Sequence, residues 1–384
     1  YQTAWLKALY PAEFMAATLS SDMDDTDKVQ LFVDDAKANG VDVLPPDINA
    51  SGYRFEPVSD RALRYGLGAV KGTGEGAVVE ILRARADGPF RDLFDFCERI
   101  DRKIVNRRTI EALVRAGAFD TLDDDRAKLL ANVGRAMDAA EAAGAAIDQA
   151  SLFGDDTGMP SAPEWLPAPP WSERQRLQEE KAALGFFLSG HLFNGYRDEV
   201  RRFVRTKLAD LQPQQQPVWM VGVVAAQRTM MTRRGKMVFV TLDDGSAKLE
   251  VSVFNELYDA HRRQIRDDEL LVVYGKISKD DYTGGQRVVA ERILDLVGAR
   301  QEFGKRLRIR LNGTADSAAL RGAIAPFAIG ERRDVPALPV VLEYGNRRAA
   351  CAIELGEHWR VHPHDDLIGA IREMLRPVDT AIEY

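Results

Sequence analysis

The chain is poor in cysteine. Its 384 residues include only Cys97 and Cys351, far apart and outside any metal-ligand spacing. That excludes a disulfide framework and a cysteine zinc site, and the expectation is two buried thiols in a reducing compartment. No apolar run approaches the roughly 18 residues needed to span a bilayer. No signal peptide is expected. A cytoplasmic protein with no membrane partner is therefore expected. Excess positive charge is also missing: 52 Lys and Arg stand against 59 Asp and Glu, a net charge of −7. Any nucleic-acid contact must then come from local basic patches. There is no initiator Met, and Tyr1 lies inside a helical pattern, so the expectation is the back part of a larger protein. The length suggests roughly two to four domains.

What is present centres on Leu67–Ala77, which reads LGAVKGTGEGA. An apolar turn leads into a tight Lys71-Gly72-Thr73-Gly74 hairpin, and a helix opens at about Glu75. Glycine permits positive φ and close backbone approach. The free N–H groups of the hairpin and of the first helical turn form an anion cup, aided by the helix dipole and Lys71. The spacing is that of a helix-hairpin-helix, which grips DNA phosphates without reading sequence. The site residues are Lys71, Gly72, Thr73, Gly74 and Gly76. A Walker loop is excluded because no Gly-Lys-Ser/Thr follows, and a Rossmann turn because no βαβ unit surrounds it. The remaining alternative is a glycine-rich turn between packed helices.

Residues 1–40 carry a helical apolar period broken at Pro11. Asp22, Asp24, Asp25 and Asp27 lack the glycine and terminal Glu of a calcium loop, which favours helix capping. Arg102, Lys103, Arg107 and Arg108 form a basic cluster, either a solvated helix face or a phosphate contact. An alanine-rich helix over 125–146 gives way to Gln149-Ala150-Ser151-Leu152-Phe153 and a Pro-rich linker running to Pro170. Large apolar residues at the mouth of a linker point to a partner with a pocket. Gln149, Leu152 and Phe153 have the spacing of a sliding-clamp peptide. His191 has no acid or nucleophile spaced to partner it and reads as structural.

Five strand patterns follow, with a short helix between the third and fourth, the order of an OB-fold barrel. Its hairpin loops carry Arg228, Arg233, Arg234 and Lys236 on one side, and Tyr282 and Arg287 on the other. These fit single-stranded DNA binding; the alternative is a barrel that binds protein or nothing. Phe239 either stacks bases or fills the core, and for Phe254 the core is favoured. Arg306–Leu311 alternates strictly and starts a small α/β domain. Short strands are expected at 340–343, 349–355 and 359–361, then a final helix over 365–375. His358, His362 and His364 lack a completing ligand set, so surface or capping roles are expected. No catalytic residue and no metal site are assigned. The fold class is multidomain α+β: a helical helix-hairpin-helix region, an OB-fold β-barrel and a small C-terminal α/β domain.

Several stretches together resemble the C-terminal portion of the alpha subunits of bacterial replicative DNA polymerase III. They are Tyr1–Asp27, Leu67–Gly76, Gly117–Leu122 (GAFDTL), Gln149–Gly154 (QASLFG), Glu180–His191 (EKAALGFFLSGH), Phe239–Asp244 and Leu249–Phe254. The resemblance implies the end of a fingers domain over 1–62 and a duplex-binding region over 63–148. A clamp peptide and linker would follow over 149–170, a helical connector over 171–216, an OB domain over 217–298 and a tau-binding domain over 299–384. It implies DNA, the beta sliding clamp, the tau subunit of the clamp loader and other holoenzyme subunits as partners. Gln149, Ser151, Leu152 and Phe153 would make the clamp contact, and Ala150, where stronger versions carry a larger residue, implies moderate affinity. Leu192 stands where related chains often have Pro. The polymerase carboxylates and their Mg2+ would lie in a palm outside this stretch, so no cofactor and no nucleotide transfer are expected here. The competing reading is a DNA-repair enzyme or adaptor with accessory helix-hairpin-helix and OB modules. It would need a nucleophilic Lys motif or a clustered acidic site, and neither is found.

Overall fold

The computed structural model describes residues 1–153, 164–232, 235–279, 286–311, 316–330, 336–345, 350–375 and 379–384; side chains are described outside 146–153 and the strand ends at 232 and 235. The chain divides into two compact units, Tyr1–His191 and Leu192–Tyr384.

In the first unit, α1 (Gln2–Leu9), α2 (Pro11–Ser21) and α3 (Thr26–Ala38) come first. Pro11 sits at the start of α2, where its missing N–H costs nothing. The acidic break is a cap, as expected: Asp25 accepts from the Lys28 N–H, and Lys28 pairs with Asp22. A three-stranded sheet, which the sequence did not announce, follows: β1 (Asp42–Leu44), β2 (Glu56–Ser59) and β3 (Ala62–Arg64), with β3 central. Helices α4 (Glu75–Arg85), α5 (Leu93–Arg99), α6 (Arg107–Arg115), α7 (Arg126–Phe153) and α8 (Glu173–Leu184) complete the unit. Its core is continuous, from Met15 and Leu19 through Leu63, Tyr65 and Leu67 to Phe96, Phe119 and Leu184. Phe90, Phe96 and Phe119 meet edge to face, the arrangement the ring quadrupole favours.

The second unit opens with α9 (Asn194–Val200). A closed barrel follows: β4 (Val218–Thr232), β5 (Gly235–Asp243), β6 (Lys248–Phe254), α10 (Asn255–His261), β7 (Leu270–Lys279) and β8 (Gln286–Leu294). The strands close in the order β4-β5-β6-β8-β7, with β7 pairing back onto β4. Alternate residues point inward, so Val238, Val240 and Leu242 meet Val251 and Val253 in the core. A helix the sequence did not announce, α11 (Leu296–Phe303), is capped by Asp295. The last domain is β9 (Arg306–Leu311), α12 (Ser317–Ile324), β10 (Val340–Gly345), β11 (Ala350–Glu354), α13 (Asp365–Leu375) and β12 (Asp379–Glu383). Its sheet order is β11-β10-β9-β12. Leu307, Ile309 and Ile382 pack with Ile324, Leu367 and Ile371 of the helices.

Two expectations here are corrected. Residues 357–359 form a 3-10 turn rather than a strand, and Val361 makes only isolated bridges with Ala328 and Leu338. The thiols are not both buried. Cys97 is buried, which pushes its pKa up to about 12, whereas Cys351 is exposed on the edge strand β11.

Candidate nucleic-acid interface

The hairpin at Lys71–Gly74 is built on a single 3-10 turn, Leu67–Ala69, rather than on a full preceding helix. Three hydrogen bonds from three elements fix it. The Lys71 N–H donates to the Ala183 carbonyl at 2.9 Å, Thr73 N–H to Val70 at 3.0 Å, and Thr109 Oγ1 to the Gly72 carbonyl at 3.2 Å. Gly72 has φ +82°, in the left-handed region. A Cβ on Gly72, Gly74 or Gly76 would meet nothing within 4 Å, so this face is open. Helix α4 starts at Glu75 with Gly74 as its N-cap and no capping side chain. Among the described residues, the N–H groups of Gly74, Glu75 and Gly76 have no partner. An open row of amides at a helix N-terminus is a ready anion cradle. Lys71 is exposed beside it. Thr73 is buried, with no hydrogen-bond partner for its Oγ1 among the described residues. Glu75, exposed in the first turn, is the one charge there that opposes an anion.

The residues flanking this cradle hold it from behind. Gly185, at the left-handed C-cap of α8, leaves room for Thr26 and the Lys71 ammonium: a Cβ there would lie 2.0 Å from Thr26 Cγ2 and 2.9 Å from Lys71 Nζ. The buried Glu180 carboxylate accepts the Leu188 and Ser189 N–H groups at 2.6 and 2.8 Å. Arg126, also buried, binds both oxygens of Asp120, the Arg115 carbonyl and Glu180. Gly117, with φ +83°, leaves the space this guanidinium fills. Thus GAFDTL and EKAALGFFLSGH, remote in sequence, meet in one buried network. Arg102 of the basic cluster donates to the Met137 carbonyl of α7 and pairs with Glu141, and Arg107 pairs with Glu111.

The sliding-clamp pattern Gln149, Ser151, Leu152 and Phe153 falls on the last turns of α7, so the helix runs some way past the expected end at 146. The side chains of these four lie outside the described residues.

On the barrel, the outward positions of β4, β5 and β6 form rows. Arg228, Phe239 and Ser252 are cross-strand neighbours, and Met230, Met237 and Phe254 make the next row. Arg228 holds Glu250 with both ends of its guanidinium at 2.9–3.0 Å and lies 4.4 Å over the Phe239 ring. The Lys236 ammonium sits 4.7 Å over Tyr258. Arg287 is exposed on β8 opposite Ser278. Phe254 is 39% exposed, which corrects its expected place in the core. Its parity with Met237 across the ladder puts it outside, and that register is not visible in sequence. The same parity identifies the Met230 and Met237 positions, which sequence reading passed over. Arg233, Arg234 and Tyr282 lie outside the described residues.

Elsewhere, Asp244 accepts from the N–H groups of Leu208, Ser246 and Ala247 and from Ser246 Oγ. Burial alone would raise its carboxyl, but these donors hold it below the usual range. Glu199 is likewise opposed by burial, yet held low by Arg300, which grips it at 2.6 and 2.8 Å, and by the Tyr384 hydroxyl. Among the described residues no group of three or more His, Cys, Asp or Glu is placed to share a metal ion, and no helix is long and apolar enough to cross a membrane. His364 meets the Asp366 N–H and carboxylate at the start of α13, a capping role.

Three protein families match in succession: a helix-hairpin-helix motif over residues 40–129, an OB-fold nucleic acid binding domain over 218–296, and the C-terminal domain of DNA polymerase III subunit alpha over 332–375. DNA polymerase III subunit alpha of Neisseria meningitidis serogroup B is 44% identical over 98% of this chain and 33% of its own length. The subunits of Pseudomonas aeruginosa and Escherichia coli K12 are 39% and 38% identical over 100% of this chain and 34% of their own. The chain spans about a third of the length of these relatives. With its own helix-hairpin-helix and OB barrel in the same stretch, the chain belongs to the DNA polymerase III subunit alpha family.

Proposed function

We propose that this chain holds DNA and tethers a replicative polymerase to its sliding clamp. The observation that carries the reading is the open amide row at Gly74, Glu75 and Gly76, beside Lys71 and ahead of an OB barrel. The hairpin takes a duplex phosphate on Gly72, Gly74 and Gly76 amides, with Lys71 supplying charge and Thr73 shaping the turn. The barrel receives single-stranded template on its outer face, where Phe239 and Phe254 offer rings and Arg228, Lys236 and Arg287 supply charge on β4, β5 and β8; Arg233, Arg234 and Tyr282 are assigned to this contact from the sequence. Base stacking of this kind is worth about 1–3 kcal/mol per base.

The end of α7 carries the tether. Leu152 and Phe153 enter an apolar pocket of the beta clamp, with Gln149 and Ser151 at its rim. The C-terminal domain engages the tau subunit. Tethering turns the second binding event into an intramolecular one and so raises the local concentration at the primer end. Nucleotide transfer belongs to the rest of the polymerase, because it needs paired carboxylates on two metal ions that family resemblance places outside this stretch. The setting is cytoplasmic DNA replication.

Fluorescence anisotropy with a blunt duplex tests the DNA reading. Lys71→Glu should weaken duplex binding at least tenfold and leave a single-stranded oligonucleotide nearly unaffected. Equal duplex binding by both proteins would remove the hairpin from the interface.

A further inference from the structure

The second unit contains a basic cleft that the proposed contacts do not use. It encloses about 270 Å³ between the end of α9 with the segment that follows it and the 243–247 turn of the barrel. Arg197, Arg201, Arg205 and Lys207 line it. Among the described residues, none of these four has a carboxylate partner. The one carboxylate in the cleft, Asp244, is saturated by four donors of its own chain. Arg201, Arg205 and Lys207 are exposed, while Val200, Val204 and Val221 below them are buried. In a chain of net charge −7, these four cations form a local positive patch.

We infer that this cleft is a second DNA-backbone site, which rests on the DNA reading above. The ligand chemistry follows from what lines the cleft. Guanidinium groups bind phosphate oxygens in pairs, and backbone contacts need no apolar anchor. The valines here are covered, so the cleft offers no apolar anchor of the kind that usually centres a protein interface. The site is separate from the barrel's outer loops. The β4–β5 hairpin closes at Thr232 and Gly235, whereas the cleft meets the barrel at the other end of β5, by Asp243. At the rise of a β-strand these ends lie roughly 27 Å apart. DNA held at both would cross the barrel along its length.

The test uses the full 384-residue chain, a 30-nucleotide single strand and a 30-base-pair duplex, with affinity measured against salt. The cleft variant is Arg201→Gln with Arg205→Gln and Lys207→Gln. Each phosphate contact contributes a salt slope of about 0.7 on single strands and 0.9 on duplex. The variant should lose about two units of slope if single strand occupies the cleft and nearly three if duplex does, which also identifies that form. Arg201→Lys with Arg205→Lys should keep the slope, and thermal melts of both variants report folding. A barrel variant, Lys236→Gln with Phe239→Ala and Arg287→Gln, runs in parallel. Unchanged slopes in the cleft variant with loss in the barrel variant overturn the cleft and keep the DNA reading. Absence of DNA binding by the unaltered chain overturns both.

Discussion

Gly72 shows how one residue sets the hairpin. At φ +82° an L side chain costs about 1–2 kcal/mol even with open space around it. Gly72→Ala should lower first-unit stability by about that amount in urea titration and weaken duplex binding. Glu75 acts the other way: its exposed carboxylate lies in the first turn of α4, where negative charge opposes an anion, so Glu75→Gln should tighten duplex binding by a few fold. Asp244 carries a pH signature. Its folded pKa lies below the unfolded value near 4. Its stabilisation is therefore fully present above about pH 4 and fades as pH falls through the lower folded value. Urea midpoints at pH 7 and pH 3 should converge in Asp244→Ala relative to the unaltered chain. The glycines of the hairpin were legible in sequence because only a few chemistries need that spacing. The outward place of Phe254 was not, since one residue of register decides its face.

Among elements, α8 is the keystone of the first unit. Its buried Glu180 receives the amides of Leu188 and Ser189 and a contact from Arg126. Neutralising Glu180 leaves Arg126 its pair with Asp120, but takes the charge from the bonds to the two amides, each worth about 1.5–3 kcal/mol. Glu180→Gln should therefore unfold the first unit at markedly lower urea, and Gly185→Ala should do so by its clash with Thr26 and its left-handed backbone. The motif residues that carry the family resemblance are thus largely packing residues. Sequence alone marks them as a pattern without saying what they touch, since Asp120, Arg126 and Glu180 meet only through the fold. The barrel strands were readable from alternation and from the turns between them. Helix α11 and the strand β12 were not. The first follows a strand without a glycine or proline break, and β12 is a short apolar-polar run whose pairing with β9 is supplied from the opposite end of the domain.

On the scale of the whole molecule, a chain of net charge −7 must rely on local groups of cations for any DNA contact, here Lys71 at the hairpin, Arg228, Lys236 and Arg287 on the barrel, and the four that line the connector cleft. Weak contacts at such places add up only when they are linked, and the proposed clamp tether would link them. The clamp contact is the part of this account on which the rest converges. Surface plasmon resonance should be run with the chain over immobilised cognate sliding clamp, beside Leu152→Ala with Phe153→Ala. The account predicts micromolar or tighter binding by the unaltered chain, lost in the double variant. Equal binding by both, or binding by neither, would contradict it.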